Sequence, residues 1–121
     1  MSRVLIVDDD AVFRRGLARM FSNECEVTQA SDAEQAIEAI ANAVPDLVIC
    51  DFRLPDTDGL GVLAHLKQRG ARSPFILLTA YGSSELFEKA KAQGANEVLE
   101  KPVELKDFKR QCELILSGAQ S

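Results

Sequence analysis

The sequence has few of the residues that build cross-linked or zinc-stapled frameworks. Its 121 residues include three cysteines, Cys25, Cys50 and Cys112, and no two of them form a CxxC pair. An odd number of cysteines at these spacings argues against a disulfide framework or a zinc site. We therefore expect three buried or half-buried thiols in a reducing compartment.

Histidine is rarer still, since His65 is the only one in the chain. It precedes the apolar Leu66 in a segment with helical periodicity and has no acidic cluster beside it in sequence. A lone histidine in such a place is typical of a surface or boundary position. We do not expect it to carry a phosphoryl group.

Positive charge and long apolar runs are also scarce. Fourteen Lys and Arg face nineteen Asp and Glu, for a net charge of −5, so the chain is a poor candidate for binding nucleic acid. No apolar run approaches the roughly 20 residues that span a bilayer, and the first residues do not resemble a signal peptide. The sequence predicts a cytoplasmic domain spanning 1–121, without membrane contact.

Five short apolar runs alternate with five segments of helical periodicity, which predicts five strands and five helices. The runs cover 4–7, 25–29, 47–50, 75–78 and 97–99. Continuous apolar strands between amphipathic helices indicate a doubly wound α/β fold, with a parallel sheet covered on both faces. Ser31 and Glu34 have the spacing of a capping box at the start of the second helix.

Polar side chains follow four of these strands. Asp8, Asp9 and Asp10 follow the first, while Asp51, Thr79 and Lys101 follow the third, fourth and fifth. Ligands of open parallel sheets bind at the carboxyl ends of the strands, where these groups converge. Clustered carboxylates repel one another unless a hard cation lies between them, which favours Mg²⁺, with Mn²⁺ as the alternative.

The same set of groups suits phosphoryl chemistry. A hydroxyl and an ammonium beside the cation fit a tetrahedral anion, and an aspartate can hold an acyl phosphate. Each group alone has a plainer explanation, since Asp9 or Asp10 could cap the first helix and a threonine often begins a turn. Their joint order, each after its own strand, is what points to a site.

Four segments match a known family: VLIVDDD at 4–10, DLVICDFRLPDTDG at 46–59, FILLTAYG at 75–82 and EKP at 100–102. With them the chain resembles a CheY-like response-regulator receiver domain of two-component signalling over essentially its whole length. The resemblance implies a flavodoxin-like (βα)5 fold, whose parallel sheet has the strand order 2-1-3-4-5 and helices on both faces.

The resemblance also implies roles for the acidic residues. Asp51 would be the phosphoacceptor. Asp51 and Asp9 would bind Mg²⁺ directly, together with the backbone carbonyl of Arg53, while Asp8 would act on the metal mostly through water. The phosphoryl group would come from a histidine kinase or a histidine phosphotransfer protein. The chain would then perform only phosphoryl acceptance and autodephosphorylation, and would not be an enzyme acting on a separate substrate.

Further roles are implied for residues at the ends of the fourth and fifth strands. Thr79 would bond a phosphoryl oxygen, Lys101 would pair with the phosphate charge, and a cis peptide bond would precede Pro102. The phosphorylated chain would switch a surface formed by the fourth helix, fifth strand and fifth helix. That surface would face a downstream protein or an output domain absent from this chain.

The chain departs from the family pattern at one position. An aromatic residue or histidine usually stands three residues before the lysine and reports the phosphorylated state, but this chain has Val98. The only tyrosine is Tyr81, two residues after Thr79. We hypothesise that Tyr81 takes over part of the switching or covers the phosphoryl site, and that Arg53 and Tyr81 together slow the attack of water.

Two other functions compete with this interpretation. Asp8, Asp10 and Val12 match the DxDx(T/V) nucleophile motif of haloacid-dehalogenase-like phosphatases, in which Asp8 would carry the phosphoryl group. Against it, the chain is short, no acidic pair follows Lys101, and Asp51 would have no role. Alternatively, the chain is a receiver-shaped interaction module that is never phosphorylated. Val98 favours that alternative, and the intact acidic cluster opposes it.

Overall fold

A computed structural model of the protein describes residues 1–118, in which strands and helices alternate strictly. The strands are β1 (Ser2–Val7), β2 (Cys25–Ala30), β3 (Leu47–Asp51), β4 (Phe75–Thr79) and β5 (Glu97–Glu100). The helices are α1 (Ala11–Phe21), α2 (Ala33–Asn42), α3 (Gly59–Gln68), α4 (Ser84–Ala92) and α5 (Leu105–Leu116). The last three residues of the predicted domain, 119–121, lie outside the described residues.

The strands form one parallel sheet in the order β2-β1-β3-β4-β5. This confirms the predicted doubly wound fold and strand order. Every residue of β3 and β4 is buried, as expected of central strands with helices on both faces. The edge strand β2 buries only its first and last residues, Cys25 and Ala30, which agrees with its weak apolar pattern in the sequence.

Two apolar clusters cover the two faces of the sheet. Because side chains alternate along a strand, Leu5 and Val48 face the first cluster while Val4 and Leu47 face the second. The first cluster is completed by α2, α3 and α4, and the second by α1 and α5. This double cover holds the carboxyl ends of β1, β3 and β4 side by side at one edge.

Each helix begins at a side chain that accepts backbone N–H groups. These capping residues are Asp10, Asp32, Asp58, Ser83 and Glu104. The predicted capping box of Ser31 and Glu34 is wrong by one residue. The carboxylate of Asp32 accepts the N–H of Gln35, whose side chain in turn accepts the N–H of Ser31. Asp32 has the extended backbone that a cap requires, so the helix starts after it.

The inner face of α5 is formed by Phe108, Cys112 and Ile115, which are buried. Leu105, the first residue of the helix after the capping Glu104, is 47% exposed. Within residues 1–118, no helix is both long and apolar enough to cross a bilayer.

All three thiols are buried and unpaired, in agreement with the sequence. Cys50 lies in the central strand β3, Cys25 in the edge strand β2 and Cys112 in α5. Burial raises the pKa of each thiol above its usual 9.0, and raises the pKa of Cys112 to about 12. The thiols therefore stay protonated and belong to the core.

Candidate phosphorylation and metal site

Four strand ends bring their polar residues together as predicted. Asp8 follows β1, Asp51 and Thr79 are the last residues of β3 and β4, and Lys101 follows β5. Asp51 pairs with Leu78 in the sheet, one residue before Thr79. The carboxylate and the hydroxyl therefore stand at the ends of adjacent strands, one residue apart in register. Asp8, Asp51 and Thr79 are buried, with exposures of 2%, 8% and 2%.

Lys101 is held between two carboxylates. Its Nζ lies 2.9 Å from Oδ2 of Asp8 and 2.9 Å from Oδ1 of Asp51. Burial by itself would lower the pKa of Lys101. The hydrogen bonds to Asp51 and Asp8 outweigh that effect and raise the pKa above 10.5. The lysine is therefore charged, and it offsets part of the repulsion between the two acids.

Opposing effects act on the pKa of Asp51. Burial raises its pKa above 3.8, the hydrogen bond from Lys101 lowers it, and the neighbouring charge of Asp8 raises it again, with a net rise. Its second oxygen, Oδ2, accepts the backbone N–H of Arg53 at 3.2 Å. Each oxygen of Asp51 thus has one donor, and the carboxylate points in a fixed direction.

The acids after β1 have two different roles. Carboxylate oxygens of Asp8, Asp9 and Asp51 all lie within 4.8 Å of one another. This upper limit leaves room for one small ion among the three groups, and the donors are the hard oxygens that Mg²⁺ prefers. Asp10 instead accepts the N–H groups of Val12 and Phe13, so it caps α1. The residues fit a magnesium site made by Asp8, Asp9 and Asp51.

The loop after β3 carries the other predicted ligand. Arg53 is exposed, and its backbone forms an isolated bridge with Asp58, which caps α3. Gly59 donates its N–H to the carbonyl of Phe52 at 2.6 Å, which closes the loop. A Cβ at Gly59 would stand 2.5 Å from the carbonyl oxygen of Asp51, so only glycine allows the loop to return this close to the site.

The loop after β4 places Thr79 and Tyr81. Thr79 Oγ1 accepts the backbone N–H of Tyr81 at 3.2 Å, which leaves the hydroxyl proton free to donate elsewhere. Tyr81 is 76% exposed. The guanidinium carbon of Arg53 lies 5.6 Å from the centre of its ring. The cation of Arg53 therefore lies over the face of the Tyr81 ring.

Val98 occupies the position where the family pattern expects an aromatic residue. It is 8% exposed and belongs to the first apolar cluster, against which Phe87 of α4 also packs. The peptide bond between Lys101 and Pro102 is cis, as the resemblance implies. His65 is half-buried on α3, which agrees with the expected boundary position.

Two contacts of the site were not predicted from sequence. The ring of Phe13 lies under Lys101, whose Nζ is 4.3 Å from the ring centre. Asp56, in the loop after β3, accepts the N–H groups of Ala33 and Glu34 at the start of α2, each at 3.0 Å. The sequence signals for both were weak, since helical periodicity explains Phe13 and a loop acid needs no partner.

Comparison with known proteins agrees with this geometry. The family model described as response regulator receiver domain matches residues 4–113. The chain belongs to the response regulator receiver domain family of two-component signalling. Among relatives, Regulator of RpoS from Escherichia coli K12 is 36% identical over 116 residues, and Transcriptional regulatory protein PdtaR from Mycobacterium tuberculosis is 35% identical over 117 residues.

The relatives are longer than this chain. The two alignments cover 95% of the chain but 34% of Regulator of RpoS and 57% of PdtaR. Solved structures match at the level of the single domain. The receiver domain of a putative Luxo repressor from Vibrio parahaemolyticus has a TM-score of 0.91 at 30% identity and covers 98% of this chain and 92% of its own. A Wolinella succinogenes N-terminal domain has a TM-score of 0.89 at 31% identity, with 100% of both chains covered.

Family membership and geometry together count against the phosphatase alternative. In that alternative Asp8 would be the nucleophile and Asp10 its partner in the motif. Here Asp8 bonds Lys101 and the N–H of Asp10, while the carboxylate of Asp10 is occupied by the start of α1. Asp51 lies in the centre of the site, which a phosphatase of that kind does not need.

Proposed function

We propose that the chain accepts a phosphoryl group on Asp51 from a phosphohistidine of a kinase or a phosphotransfer protein. The observation that carries the proposal is the ammonium of Lys101 bridging Asp8 and Asp51, beside a third carboxylate from Asp9. A purely structural role gives no reason to bury repelling carboxylates together with one lysine at a sheet edge. A site for phosphoryl transfer needs this charge balance.

Asp51 is the residue of the site best arranged to act as nucleophile. It is fixed by Lys101 through one oxygen and by the N–H of Arg53 through the other. In the transfer, a carboxylate oxygen forms a bond to phosphorus while the phosphorus–nitrogen bond of the phosphohistidine breaks. The leaving imidazole nitrogen takes up a proton. The reaction is one of positioning and charge neutralisation, so few protein groups are required.

Mg²⁺ would be held directly by Asp9, Asp51 and the carbonyl of Arg53, and by Asp8 mostly through water, with Mn²⁺ as a substitute. When bound, it would neutralise charge on the phosphoryl oxygens. Lys101 pairs with one phosphoryl oxygen. Thr79 has a hydroxyl proton to donate to another, because its oxygen already accepts from Tyr81.

A signal must pass from this edge to a partner, and we place the partner-facing surface on α4, β5 and α5, as the resemblance implies. α4 buries only Ala90 completely, so few core contacts oppose its displacement. Phosphorylation adds charge beside Thr79, at the start of the loop that leads into α4. The partner is a downstream protein or an output domain. The relatives are longer than the aligned part, by a length that could contain such a domain.

Intact-mass analysis tests the proposal. The protein is incubated with a small acyl phosphate or phosphoramidate, with Mg²⁺ or with a chelator, and Asp51→Asn is run in parallel. Asp107→Asn, an exposed acid on α5, is the matched control. We expect one added phosphoryl group in the wild type and the control, only with Mg²⁺, and none in Asp51→Asn.

Other outcomes decide between the alternatives. An adduct that persists in Asp51→Asn and maps to Asp8 contradicts the proposal in favour of the phosphatase. No adduct with small donors leads to a second assay with a phosphorylated histidine kinase as donor. Failure there as well favours the interaction module that is never phosphorylated.

A further inference from the structure

The ammonium of Lys101 has three close neighbours, and one of them is not an acid. Two are the oxygens of Asp8 and Asp51, each at 2.9 Å. The third is the face of Phe13, with Nζ 4.3 Å from the ring centre. A cation within about 6 Å of an aromatic centre is attracted by the negative face of the ring, more strongly where water is excluded. Lys101 is 20% exposed, so its ammonium is largely shielded from water.

The start of α1 fixes the ring in this place. The carboxylate of Asp10 accepts the N–H of Phe13 at 3.2 Å, so the helix cap holds the backbone of the very residue that carries the ring. The ring is half-buried and packs against the second apolar cluster. Phe13 therefore cannot leave Lys101 without disturbing the cap or the cluster.

The attraction of Asp8 and Asp51 for the ammonium of Lys101 changes during the reaction, whereas that of the Phe13 ring does not. Under the proposed function, on which this inference rests, Asp51 is also a direct ligand for Mg²⁺ and Asp8 acts on the metal mostly through water, and Asp51 becomes neutral in charge at the bonded oxygen once it carries the phosphoryl group. Each step weakens the hold of the carboxylates on the ammonium. The face of Phe13 has no oxygen that a metal could take, so its attraction persists throughout.

We infer that Phe13 is a positioning residue that keeps the ammonium of Lys101 at the phosphorylation site when Asp8 and Asp51 are engaged by metal and phosphoryl group. Loss of the ring face then reduces the rate of phosphoryl acceptance at saturating Mg²⁺. Saturating Mg²⁺ separates this effect on the rate from any change in metal affinity, since Phe13 itself offers no ligand to the metal. The expected reduction is about three- to tenfold, the usual strength of such a contact expressed as a rate.

The test uses Phe13→Leu, which keeps an apolar side chain without a ring, and Phe13→Tyr, which keeps the ring face. Phe108→Leu removes a ring from the same apolar cluster and serves as the matched control. The first measurement is the NMR chemical shift of the Lys101 ε-methylene protons, which a ring face beneath them moves upfield. The second is the rate of phosphoryl acceptance from a small acyl phosphate as a function of Mg²⁺.

We expect the upfield shift in the wild type, with and without Mg²⁺, in Phe13→Tyr and in Phe108→Leu, and its loss in Phe13→Leu. We expect the slower acceptance only in Phe13→Leu, with recovery in Phe13→Tyr. A shift that vanishes when Mg²⁺ binds, or a wild-type rate in Phe13→Leu, overturns the inference. A wild type that takes no phosphoryl group from any donor overturns the proposed function instead, and the NMR arm still decides whether Phe13 holds Lys101 in the presence of metal.

Discussion

Asp56 accepts the backbone N–H of Ala33 at 3.0 Å across 23 residues of chain. Its other oxygen accepts the N–H of Glu34, so the loop that follows the phosphoacceptor strand is tied to the start of α2. Asp32 satisfies a further N–H of the same turn, from Gln35. Two carboxylates thus share the positive end of one helix.

Replacing Asp56 by alanine should destabilise the protein at neutral pH. The N–H of Ala33 is the main reason that the pKa of Asp56 is lowered from 3.8, so its contribution is present above pH 3.8 and is lost as pH falls through the lower, folded-state pKa. Urea unfolding should show a gap between wild type and Asp56→Ala at neutral pH that closes in strong acid. Glu88→Ala, at an exposed position within α4, should show no gap, and an equal gap between wild type and Asp56→Ala at every pH would contradict the electrostatic explanation.

Asp51→Asn should stabilise the protein when Mg²⁺ is absent. Burial, the largest cause, raises the pKa of Asp51 above 3.8, so the folded state binds its proton more tightly and the charged form costs stability above the folded-state pKa. Removing the charge should raise the free energy of unfolding at pH 7 by on the order of 1 kcal/mol, since Lys101 keeps Asp8 as a partner. Urea titrations in chelator measure this.

The same comparison has a built-in control. The gap should shrink as pH falls through the raised folded-state pKa of Asp51 and vanish below 3.8, where Asp51 is protonated in both the folded and the unfolded state. Added Mg²⁺ should stabilise the wild type more than Asp51→Asn, because only the folded wild type presents the full ligand set. A variant that is less stable than wild type in chelator at pH 7 would show that the bond to Lys101 outweighs burial.

Lys101→Met should weaken the fold and tighten the binding of Mg²⁺. The methionine leaves Asp8 and Asp51 facing each other without a cation, at a cost of roughly 1–3 kcal/mol. A divalent ion no longer competes with the ammonium for the same oxygens, so calorimetry should give a lower Kd for Mg²⁺. Because the pKa of Lys101 is raised above 10.5, its stabilising effect should be complete below that pH and decline as pH rises through the folded value.

Two glycine substitutions should have opposite effects on stability. A Cβ at Gly59 would meet the carbonyl oxygen of Asp51 at 2.5 Å and a methyl group of Leu77 at 2.8 Å, so Gly59→Ala should destabilise by roughly 1–3 kcal/mol. It should also slow phosphoryl acceptance, because it displaces Asp51. Gly16 lies inside α1, and a Cβ added there would meet nothing within 4 Å. Gly16→Ala should therefore stabilise the protein by about 1 kcal/mol. Urea unfolding of both variants measures the contrast.

Tyr81→Ala should shorten the lifetime of the acyl phosphate. The exposed ring lies beneath the guanidinium of Arg53, and on our hypothesis the two side chains restrict the approach of water to the phosphoryl group. We expect a severalfold faster loss of the phosphoryl group, followed by intact mass after removal of the donor. Arg53→Ala should act in the same direction. If Tyr81→Ala changes neither this lifetime nor the binding of a partner, both roles suggested for Tyr81 are wrong.

The strand-end residues were accessible from the sequence because the rules that place them are local and few. An apolar run ends at Asp51 and at Thr79, and parallel strands bring their carboxyl ends to the same edge. Those two facts place Asp8, Asp51, Thr79 and Lys101 at the same edge of the sheet. The strand order came only from the resemblance, because apolar runs alone do not say which strands are neighbours.

The contacts of Phe13 and Asp56 depend on the three-dimensional arrangement of the elements, which the periodicity of the sequence does not predict. Helical spacing assigns Phe13 to the inner face of α1, but it cannot say that the ring meets a lysine from the end of β5. Asp56 is an ordinary loop acid until the loop is folded back towards α2. The cap of α2 illustrates the smallest such error, since Ser31 and Asp32 are both good caps and only the backbone conformation decides between them.

The buried thiols of Cys50 and Cys25 can report how often different parts of the sheet open. Cys50 is 0% exposed in the central strand β3, whereas Cys25 is 8% exposed on the edge strand β2. Alkylating reagents attack thiolates, so Cys50 reacts only during excursions that separate the middle of the sheet, while Cys25 needs only a fraying edge. Two labelling rates in one molecule therefore separate global from local breathing, without any introduced probe.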